Sequence, residues 1–305
     1  MAPQDQPAAN LDADKGAGVV LVGAGLMGSQ IALEYAAGGH RVAVLARDTG
    51  RAWTRLRRAG QLATDVGLLA QDAVVRALES VTCCSDPVCL PIADLVVESL
   101  PEDLEIKATV LRPIAATMPS ATIASNTSSL RIGELGDAIG AAERTLGTHY
   151  WNPPLLMPLV ELVAGRRTGA ARVDRVEQIL EELGKRPVRV ADVPGFAWNR
   201  LQFALLREAV WLVEHGVATP EDVDEIVRSG LARRWRLTGP FETASLGGAA
   251  TFEAVAANLW PELSTAHSIE TLAPFLYLGE DGARAKAVRE ARDRGLARDR
   301  LESEG

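Results

Sequence analysis

Histidine, lysine and cysteine are scarce in this chain of 305 residues, and the scarcity narrows the chemistry it can perform. Four histidines leave few candidates for acid–base catalysis, and only four of the 32 basic residues are lysines. The three cysteines, Cys83, Cys84 and Cys89, are too few for an extracellular disulfide framework. They lack a fourth ligand or a nearby histidine, so the sequence predicts no metal site.

Long basic runs and long apolar runs are also absent. The formal net charge of −8 without a basic stretch argues against a nucleic-acid partner. No segment approaches the roughly 18 consecutive apolar residues of a membrane-spanning helix, so no membrane partner is predicted. Residues 1–16 are polar and carry acids where a signal peptide would carry Lys or Arg. We therefore predict a disordered tail at the start of a cytoplasmic protein.

Short apolar segments alternate with amphipathic ones along the first two thirds of the chain, which predicts an α/β fold. The length favours two domains, since a domain has about 100–200 residues. From Pro194 onwards the pattern is wholly helical. We therefore predict a Rossmann-like dinucleotide-binding domain over residues 17–193 and an all-α domain over residues 194–305.

A glycine-rich motif follows the first apolar segment. In its GxGxxG pattern, Gly23 makes the turn, Gly25 lets a pyrophosphate approach, and Gly28 lets the helix pack on the strand. Leu26 and Met27 contribute unpaired amides at the start of that helix, which attract an anion. The pattern predicts a nicotinamide dinucleotide as the cofactor, and a tight turn that binds no ligand is the alternative.

The residue expected to bind the adenosine ribose is missing. NAD enzymes carry an acidic residue about 20 positions after the glycine motif, but Ala46 and then Arg47 stand there. Without the carboxylate a 2′-phosphate is not repelled, and a guanidinium can pair with it. We therefore predict that NADP is favoured over NAD, with Arg47 and Thr49 at the phosphate. In the alternative, Asp48 bends back to the ribose and Arg47 is solvated.

One histidine, His149, differs from the other three in its position. It ends a predicted strand, and open α/β sheets bind ligands at the carboxyl ends of their strands. Glu161 lies on the returning strand between two apolar residues, an uncommon place for a charge without a role. A carboxylate next to an imidazole fixes its tautomer and stabilises the imidazolium. The two residues predict an acid–base pair, with a purely structural pair as the alternative.

Four motifs occur together in one order and spacing. Residues 23–28, 125–129, 149–161 and 194–200 resemble the 3-hydroxyacyl-CoA dehydrogenase family, and the resemblance extends over residues 18–247. It implies an enzyme that uses NAD or NADP to interconvert a 3-hydroxy compound and its 3-oxo form.

The resemblance also implies roles for individual side chains. His149 would take the proton from the 3-hydroxyl group, and Glu161 would orient it. Ser128 and Asn199 would hydrogen-bond the reacting oxygen and the substrate. The remaining implied positions are Asn126 and Ser128 at the nicotinamide end of the cofactor, Glu102 and Lys107 at the adjacent ribose, and Asn152 at the substrate.

Residues 233–243 resemble the branch of the family that contains L-gulonate 3-dehydrogenase (lambda-crystallin) and carnitine dehydrogenase, which act on small polar 3-hydroxy acids. In that register Arg234 would bind a free carboxylate. Two alternatives remain. One is a 3-hydroxyacyl-CoA substrate, and the other is a non-catalytic dinucleotide-binding protein with a structural or sensing role. In the first alternative, the CoA phosphates would meet Arg51, Arg55, Arg57 and Arg58.

Two departures from the family pattern affect what the resemblance implies. One is Ala46, at the position of the ribose-binding acid. The other lies near residues 276–283, where the family's Lys-Thr-Gly-x-Gly-Phe-Tyr-type segment is absent. The family also implies a homodimer formed through the helical domain.

Overall fold

The computed structural model describes the backbone of residues 18–278 and 282–304, with side chains up to residue 302. The predicted disordered tail, residues 1–16, lies outside the described residues. Two compact units divide the chain. The first runs to Ala197 and includes the segment from Ala291 onwards, and the second is Trp198–Glu290.

Among the described residues, the first unit contains one sheet of eight strands. Its central strands are short runs of β-branched and other apolar residues, which suit a sheet covered on both faces. The strands are β1 (Gly18–Val22), β2 (Arg41–Leu45), β3 (Val81–Cys84), β4 (Leu95–Glu98), β5 (Thr122–Ser125), β6 (Thr145–Tyr150), β7 (Leu159–Ala164) and β8 (Arg186–Ala191).

Helices connect most of these strands. They are α1 (Leu26–Ala37), α2 (Thr49–Asp65), α3 (Gln71–Glu79), α4 (Leu104–Thr117), α5 (Ile132–Ala138) and α6 (Ala170–Glu182). Two of them are preceded by an aspartate that serves as the N-cap, because a carboxylate accepts hydrogen bonds from the first free amides of a helix. Asp48 caps α2 and Asp103 caps α4 in this way.

The strand order is β3-β2-β1-β4-β5-β6-β7-β8, and all neighbours are parallel except β6 and β7. The order reverses beside β1, so the carboxyl ends of β1 and β4 border the crevice where such sheets bind ligands. Antiparallel pairing of β6 with β7 requires no crossover helix, and residues 151–158 return the chain directly. The α/β class with a Rossmann-like first part and a helical second part is confirmed.

The core lies on both faces of the sheet, and β1 shows why. Its side chains point alternately to the two faces, as in any strand. Val19 and Leu21 belong to a buried cluster with side chains of α1, α2, α3 and α6. Val20 and Val22 belong to a second cluster with side chains of α4 and α5. Packing on both faces holds the carboxyl ends of the strands in fixed positions.

Two elements of the first unit, β3 and α5, were not predicted. The pattern over residues 49–81 indicates helices only, but the chain forms an edge strand that begins at Val81, its one fully buried residue. Helix α5 is seven residues long and contains Gly133 and Gly136, which weaken helical propensity. Packing stabilises it instead, since Leu135 is completely buried.

The regular elements described in the second unit are all helical. They are α7 (Trp198–Glu214), α8 (Pro220–Ile226), a π-helical segment (Val227–Leu231), α9 (Ala232–Trp235), α10 (Pro240–Gly247), α11 (Ala249–Leu259) and two short 3-10 turns. A last helix, α12 (Ala283–Glu304), begins in this unit and ends in the first. We predicted one helical domain over residues 194–305, whereas the end of α12 groups with the first unit because Ala297 is buried in that unit's core.

Candidate active site

The glycine-rich turn joins β1 to α1. The Gly23 amide donates to the Leu45 carbonyl oxygen at 3.0 Å, and its φ of +100° lies in the region that favours glycine. A Cβ atom on Gly28 would lie 1.9 Å from the Gly23 carbonyl oxygen, so glycine is required where α1 approaches β1. A Cβ atom on Gly25 would meet nothing within 4 Å. Gly28 therefore serves packing, and the space next to Gly25 is open to a ligand.

The start of α1 fits the pyrophosphate of a dinucleotide. Its N-cap, Gly25, has no side chain to accept hydrogen bonds from the first amides of the helix, such as those of Leu26 and Met27. These amides and the positive end of the helix dipole favour an anion. Arg55 of α2 adds positive charge on the same turn, since its Nη1 donates to the Ala24 carbonyl oxygen at 2.9 Å.

The end of β2 presents a cation and no free acid. Ala46 follows the strand, and the Arg47 side chain is exposed. Asp48 accepts a hydrogen bond from the Arg51 amide at 2.9 Å, and its other oxygen lies 3.2 Å from the Arg51 Nε atom. Asp48 would have to give up its capping role to bind a ribose. Thr49 is the first residue of α2, next to this cap.

His149 and Glu161 lie directly opposite each other on the antiparallel strands β6 and β7. The His149 Nδ1 atom is 2.7 Å from the Glu161 Oε2 atom, and both side chains are buried. A carboxylate can only accept here, so Nδ1 carries the proton and Nε2 is the nitrogen that remains able to accept one. The sequence prediction that these two side chains meet agrees with this geometry.

The segment after β8 holds the second oxygen of Glu161. The Ala197 amide donates to the Glu161 Oε1 atom at 3.0 Å. The preceding residue, Phe196, has a φ of +49°, uncommon for a side chain of this size, and its ring centroid lies 5.5 Å from that of His149. Gly195, with a φ of +76°, makes the same turn possible. Sequence reasoning missed this backbone contact because an amide leaves no mark in a residue pattern.

Glu102 binds the loop that carries Ser128. Its Oε1 atom accepts hydrogen bonds from the Thr127 hydroxyl (2.6 Å), the Ser128 amide (2.9 Å), and the Ser129 amide and hydroxyl (2.7 and 2.8 Å). Burial alone would raise the pKa of Glu102, but the hydroxyl groups of Thr127 and Ser129 and the nearby Lys107 charge lower it to about 2. This carboxylate therefore stays ionised and fixes the loop.

Lys107 differs from the expectation that its ammonium reaches a ribose. Only 1% of its side chain is exposed, and its Nζ atom lies 2.7 Å from the Glu98 Oε1 atom and 3.2 Å from the Leu100 carbonyl oxygen. The Glu102 Oε2 atom is 3.5 Å away. Because its ammonium is paired with protein oxygens, Lys107 stabilises the segment between β4 and α4 and does not present its charge to a ligand. Ser125 donates its hydroxyl proton to the other Glu98 oxygen at 2.5 Å.

The pairing of Glu98 with Lys107 was not foreseen from the sequence. The sequence contains a signal for this pair, because Glu98 ends the otherwise apolar strand β4. In the structure Glu98 is completely buried. A buried carboxylate requires a partner of opposite charge or several donors. A lysine nine residues further on, at the start of the next helix, meets that requirement.

Asn126 joins the ends of three neighbouring strands. Its Oδ1 atom accepts from the Tyr150 amide at 2.9 Å, and its own amide donates to the Glu98 carbonyl oxygen at 2.8 Å. Ser128 follows on the exposed part of the same loop, and Asn152 is exposed just after β6. The predicted residues of the first unit thus lie at or after the carboxyl ends of β1, β2, β4, β5 and β6, with Glu161 opposite His149 on β7, all at one edge of the sheet.

Two predicted residues belong to the second unit. Asn199 lies in the first turn of α7, and Arg234 lies in α9, directly after the π-helical segment. Their roles at the substrate stay predictions.

Other kinds of site find little support in the part of the chain that the structure describes. No group of three or more His, Cys, Asp or Glu side chains there is arranged to hold a metal ion. Burial, with a smaller effect of Cys84, raises the pKa of Cys83 to about 12, so its thiol stays protonated. None of the described helices combines the length and the apolar character needed to cross a membrane.

The fold and the site together define a nicotinamide-dependent dehydrogenase. The family described as 3-hydroxyacyl-CoA dehydrogenase, NAD binding domain, matches residues 18–193, and the one described as 3-hydroxyacyl-CoA dehydrogenase, C-terminal domain, matches residues 195–284. The chain belongs to the 3-hydroxyacyl-CoA dehydrogenase family. The predicted family and the predicted enzyme class are confirmed.

Relatives in this family act on varied compounds. The chain is 36% identical over 253 residues to 5-formyl-3-hydroxy-2-methylpyridine 4-carboxylate 5-dehydrogenase of Mesorhizobium japonicum, covering 81% of each protein. A solved structure of an enzyme with that activity, described as an NAD+ dependent dismutase, is similar with a TM-score of 0.84 and 31% identity over 94% of this chain and 98% of that one. L-carnitine dehydrogenase of Pseudomonas aeruginosa is 39% identical over 208 residues, which are 68% of this chain and 62% of that protein.

The Glu102 carboxylate predicts a dependence of stability on pH. Its pKa of about 2 lies below its ordinary value of 4.5, so its stabilising effect is present above pH 4.5 and is lost as the pH falls towards 2. Glu102→Gln should lower the free energy of unfolding by about 1 kcal/mol at pH 7, a discounted value because the side chain is 37% exposed. The deficit should shrink between pH 5 and pH 2, as followed by urea denaturation at several pH values.

Glu105→Gln is the matched control for this prediction, since Glu105 is an exposed acid three residues further along, in the first turn of α4. It should leave the unfolding free energy nearly unchanged at each pH. A deficit of Glu102→Gln that stayed constant over the acidic range would contradict the role assigned to the Glu102 charge.

Proposed function

We propose that this protein uses NADP or NAD to interconvert a small polar 3-hydroxy acid and its 3-oxo form. The proposal rests on one observation: the buried pair of His149 and Glu161 lies at the same edge of the sheet as the glycine-rich turn. Oxidation of an alcohol by a nicotinamide cofactor requires an acid–base group close to a dinucleotide-binding site, and both lie at this edge of the sheet.

The chemistry divides between the cofactor and the chain. A nicotinamide dinucleotide held by the glycine-rich turn would supply hydride chemistry at C3 of the substrate. His149 takes the hydroxyl proton on Nε2, and Glu161 stabilises the imidazolium that forms. Ser128 hydrogen-bonds the reacting oxygen, and Glu102 holds the loop that carries Ser128 in place. In the reverse direction His149 donates the same proton.

The proposed substrate carries a free carboxylate bound by Arg234. Two relatives support a small polar acid, since one is named for a pyridine carboxylate and another for carnitine. A CoA thioester is supported by the family name and by similar solved structures that are named 3-hydroxybutyryl-CoA dehydrogenase. Two of the four arginines that would meet CoA phosphates have partners within the chain, because Arg51 lies against Asp48 and Arg55 binds Ala24.

The proposed cofactor is NADP in preference to NAD. Ala46 leaves room for a 2′-phosphate, the exposed Arg47 offers it a cation, and Asp48 is engaged as a helix cap. A similar solved enzyme is described as NAD+ dependent, which favours the opposite choice and makes the comparison of the two cofactors decisive.

We also propose that the chain forms a homodimer through the helical domain that begins near residue 194. Helix α7 has no buried residue, and large apolar side chains of the second unit are exposed, among them Phe203, Phe241 and Trp260 at 58%, 87% and 72%. Large exposed apolar side chains are the material from which interfaces are built, and a protein–protein interface would cover them.

Removal of the proposed base should separate chemistry from binding. His149→Ala should lower kcat by about 10²–10⁴-fold, the usual contribution of a positioned acid–base group, while the dissociation constant of the dinucleotide changes little. His149→Gln, which retains a hydrogen-bonding group for the buried Glu161, guards against loss of folding. His267→Gln removes an exposed histidine and should leave kcat unchanged. Turnover of His149→Ala at the wild-type rate would contradict the role of His149 as the acid–base group, whereas absence of turnover in wild type would favour the non-catalytic alternative.

A panel of substrates should distinguish the two substrate classes. We expect L-gulonate, L-carnitine or related small 3-hydroxy acids to be oxidised with a higher kcat/KM than acetoacetyl-CoA is reduced. Arg234→Met should raise KM for the small acid about tenfold, the effect of one charge-assisted hydrogen bond. Arg233→Met, at the neighbouring position of α9, is the control and should change KM little. Faster reaction of acetoacetyl-CoA would assign the chain to the acyl-CoA class instead, and no reaction of any 3-hydroxy compound would refute the proposed activity.

Steady-state rates with both cofactors should show a higher kcat/KM for NADP than for NAD. Arg47→Ala should lower the value for NADP about tenfold and leave that for NAD unchanged, because only the 2′-phosphate loses a partner. Ala46→Asp should reverse the preference by repelling that phosphate. Arg76→Ala, which removes an exposed arginine of α3, is the control. A wild-type preference for NAD would contradict the proposal.

A further inference from the structure

Two buried cations lie behind the connection between the strands of the acid–base pair. This connection, residues 151–158, leads from His149 on β6 to Glu161 on β7. The cations are Lys185, just before β8, and Arg300, near the end of α12. Both side chains are at most 8% exposed.

Arg300 binds three parts of the first unit. Its Nη1 atom donates to the Leu155 carbonyl oxygen and, at 3.2 Å, to the Glu34 Oε1 atom. Its Nη2 atom donates to the Leu183 carbonyl oxygen at 3.3 Å. Ala297, three residues earlier, is completely buried and places the helix for these contacts.

Lys185 binds the same connection at two other carbonyl groups. Its Nζ atom donates to the Pro154 carbonyl oxygen at 2.6 Å and to the Met157 carbonyl oxygen at 2.9 Å. It also lies 2.6 Å from the Glu34 Oε1 atom. One carboxylate of α1 therefore contacts both cations, and together the two cations bind three carbonyl oxygens of residues 151–158.

These bonds replace those of a strand or helix. Backbone carbonyl groups that are buried outside regular structure must find donors, and an unmet carbonyl costs about 1–3 kcal/mol. The connection carries Asn152 on its exposed side, and the Trp151 ring lies edge-on to His149, with centroids 6.5 Å apart. The contacts of its buried carbonyl groups with Lys185 and Arg300 thus determine where Trp151 and Asn152, next to His149, lie.

We propose that Arg300 is a positioning residue for the reaction: it fixes residues 151–158, and through them Trp151 and Asn152, beside His149. The inference rests on the proposed function, in which His149 moves the substrate proton. The end of α12 would thus act on catalysis indirectly, through the Arg300 contacts with Glu34, Leu155 and Leu183.

An arginine is suited to this role because its planar fork donates in several directions at once. The guanidinium spans two carbonyl oxygens from different segments and a carboxylate. A lysine at the same place has one nitrogen and a shorter reach, so it would satisfy some of these acceptors and not the others.

The test compares Arg300→Met and Arg300→Lys with wild type and with Arg298→Met. Arg298 lies on the same helix with an exposed side chain, so it is the matched control. Hydrogen–deuterium exchange of peptides covering residues 151–158 reports the connection without a substrate. Steady-state kinetics with the small 3-hydroxy acid and a dinucleotide titration report the rest.

We expect Arg300→Met to speed exchange in residues 151–158 at least fivefold and to lower kcat about tenfold, because small displacements next to reacting groups cost large factors in rate. The dissociation constant of the dinucleotide should stay within twofold of wild type. Arg300→Lys should give an intermediate kcat, and Arg298→Met should match wild type in every measurement.

Unchanged exchange in residues 151–158, or a kcat within twofold of wild type, would overturn the proposal. Faster exchange of equal size throughout the first unit would also overturn it, since that indicates a general loss of stability. If Arg300→Met fails to fold, Arg300→Lys is judged by the same criteria. If wild type oxidises no 3-hydroxy compound, the proposed function fails, and the exchange data still show separately whether Arg300 holds the connection.

Discussion

The antiparallel pairing of β6 with β7 is the constraint on which the site depends. In a fully parallel sheet, the residue opposite His149 would belong to a strand that runs the same way, and the intervening chain would need a crossover helix. The reversal brings Glu161 back against the imidazole after only eight connecting residues. Because both strands are covered on their faces, the pair is dry, and the carboxylate holds one tautomer of the histidine.

Carboxylates organise the rest of the sheet edge. Glu98 binds Lys107 and the Ser125 hydroxyl, Glu102 binds the loop of Ser128, and Glu34 binds two cations behind residues 151–158. Glu102 and Glu34 hold segments outside the strands and helices, and Glu98 joins the end of β4 to Ser125 of β5 and Lys107 of α4. Removing water strengthens these contacts and raises the cost of leaving any member unpaired.

The sequence predicted the parts of the site whose chemistry is local. Gly23, Gly25 and Gly28 have a spacing typical of the turn between the first strand and helix of dinucleotide-binding folds, and His149 and Glu161 lie in apolar surroundings where a charge is conspicuous. It misjudged Lys107, because the ligand-facing and buried orientations of a lysine give the same residue pattern. It missed the Ala197 amide and Arg300, since a backbone group has no signature and a contact 145 residues apart follows only from packing. Helix α5 was missed because its glycines hide a helix that packing imposes.

The reversal at β6 and β7 also leaves both ends of residues 151–158 at a single rim, with each strand paired along its length to a different neighbour. A connection anchored in this way can change its exposed side chains without shifting the register of either strand. Substrate range can therefore vary while the pairing that supports proton transfer is kept. Related chains can diverge in what they recognise while the imidazole and its carboxylate keep the same geometry.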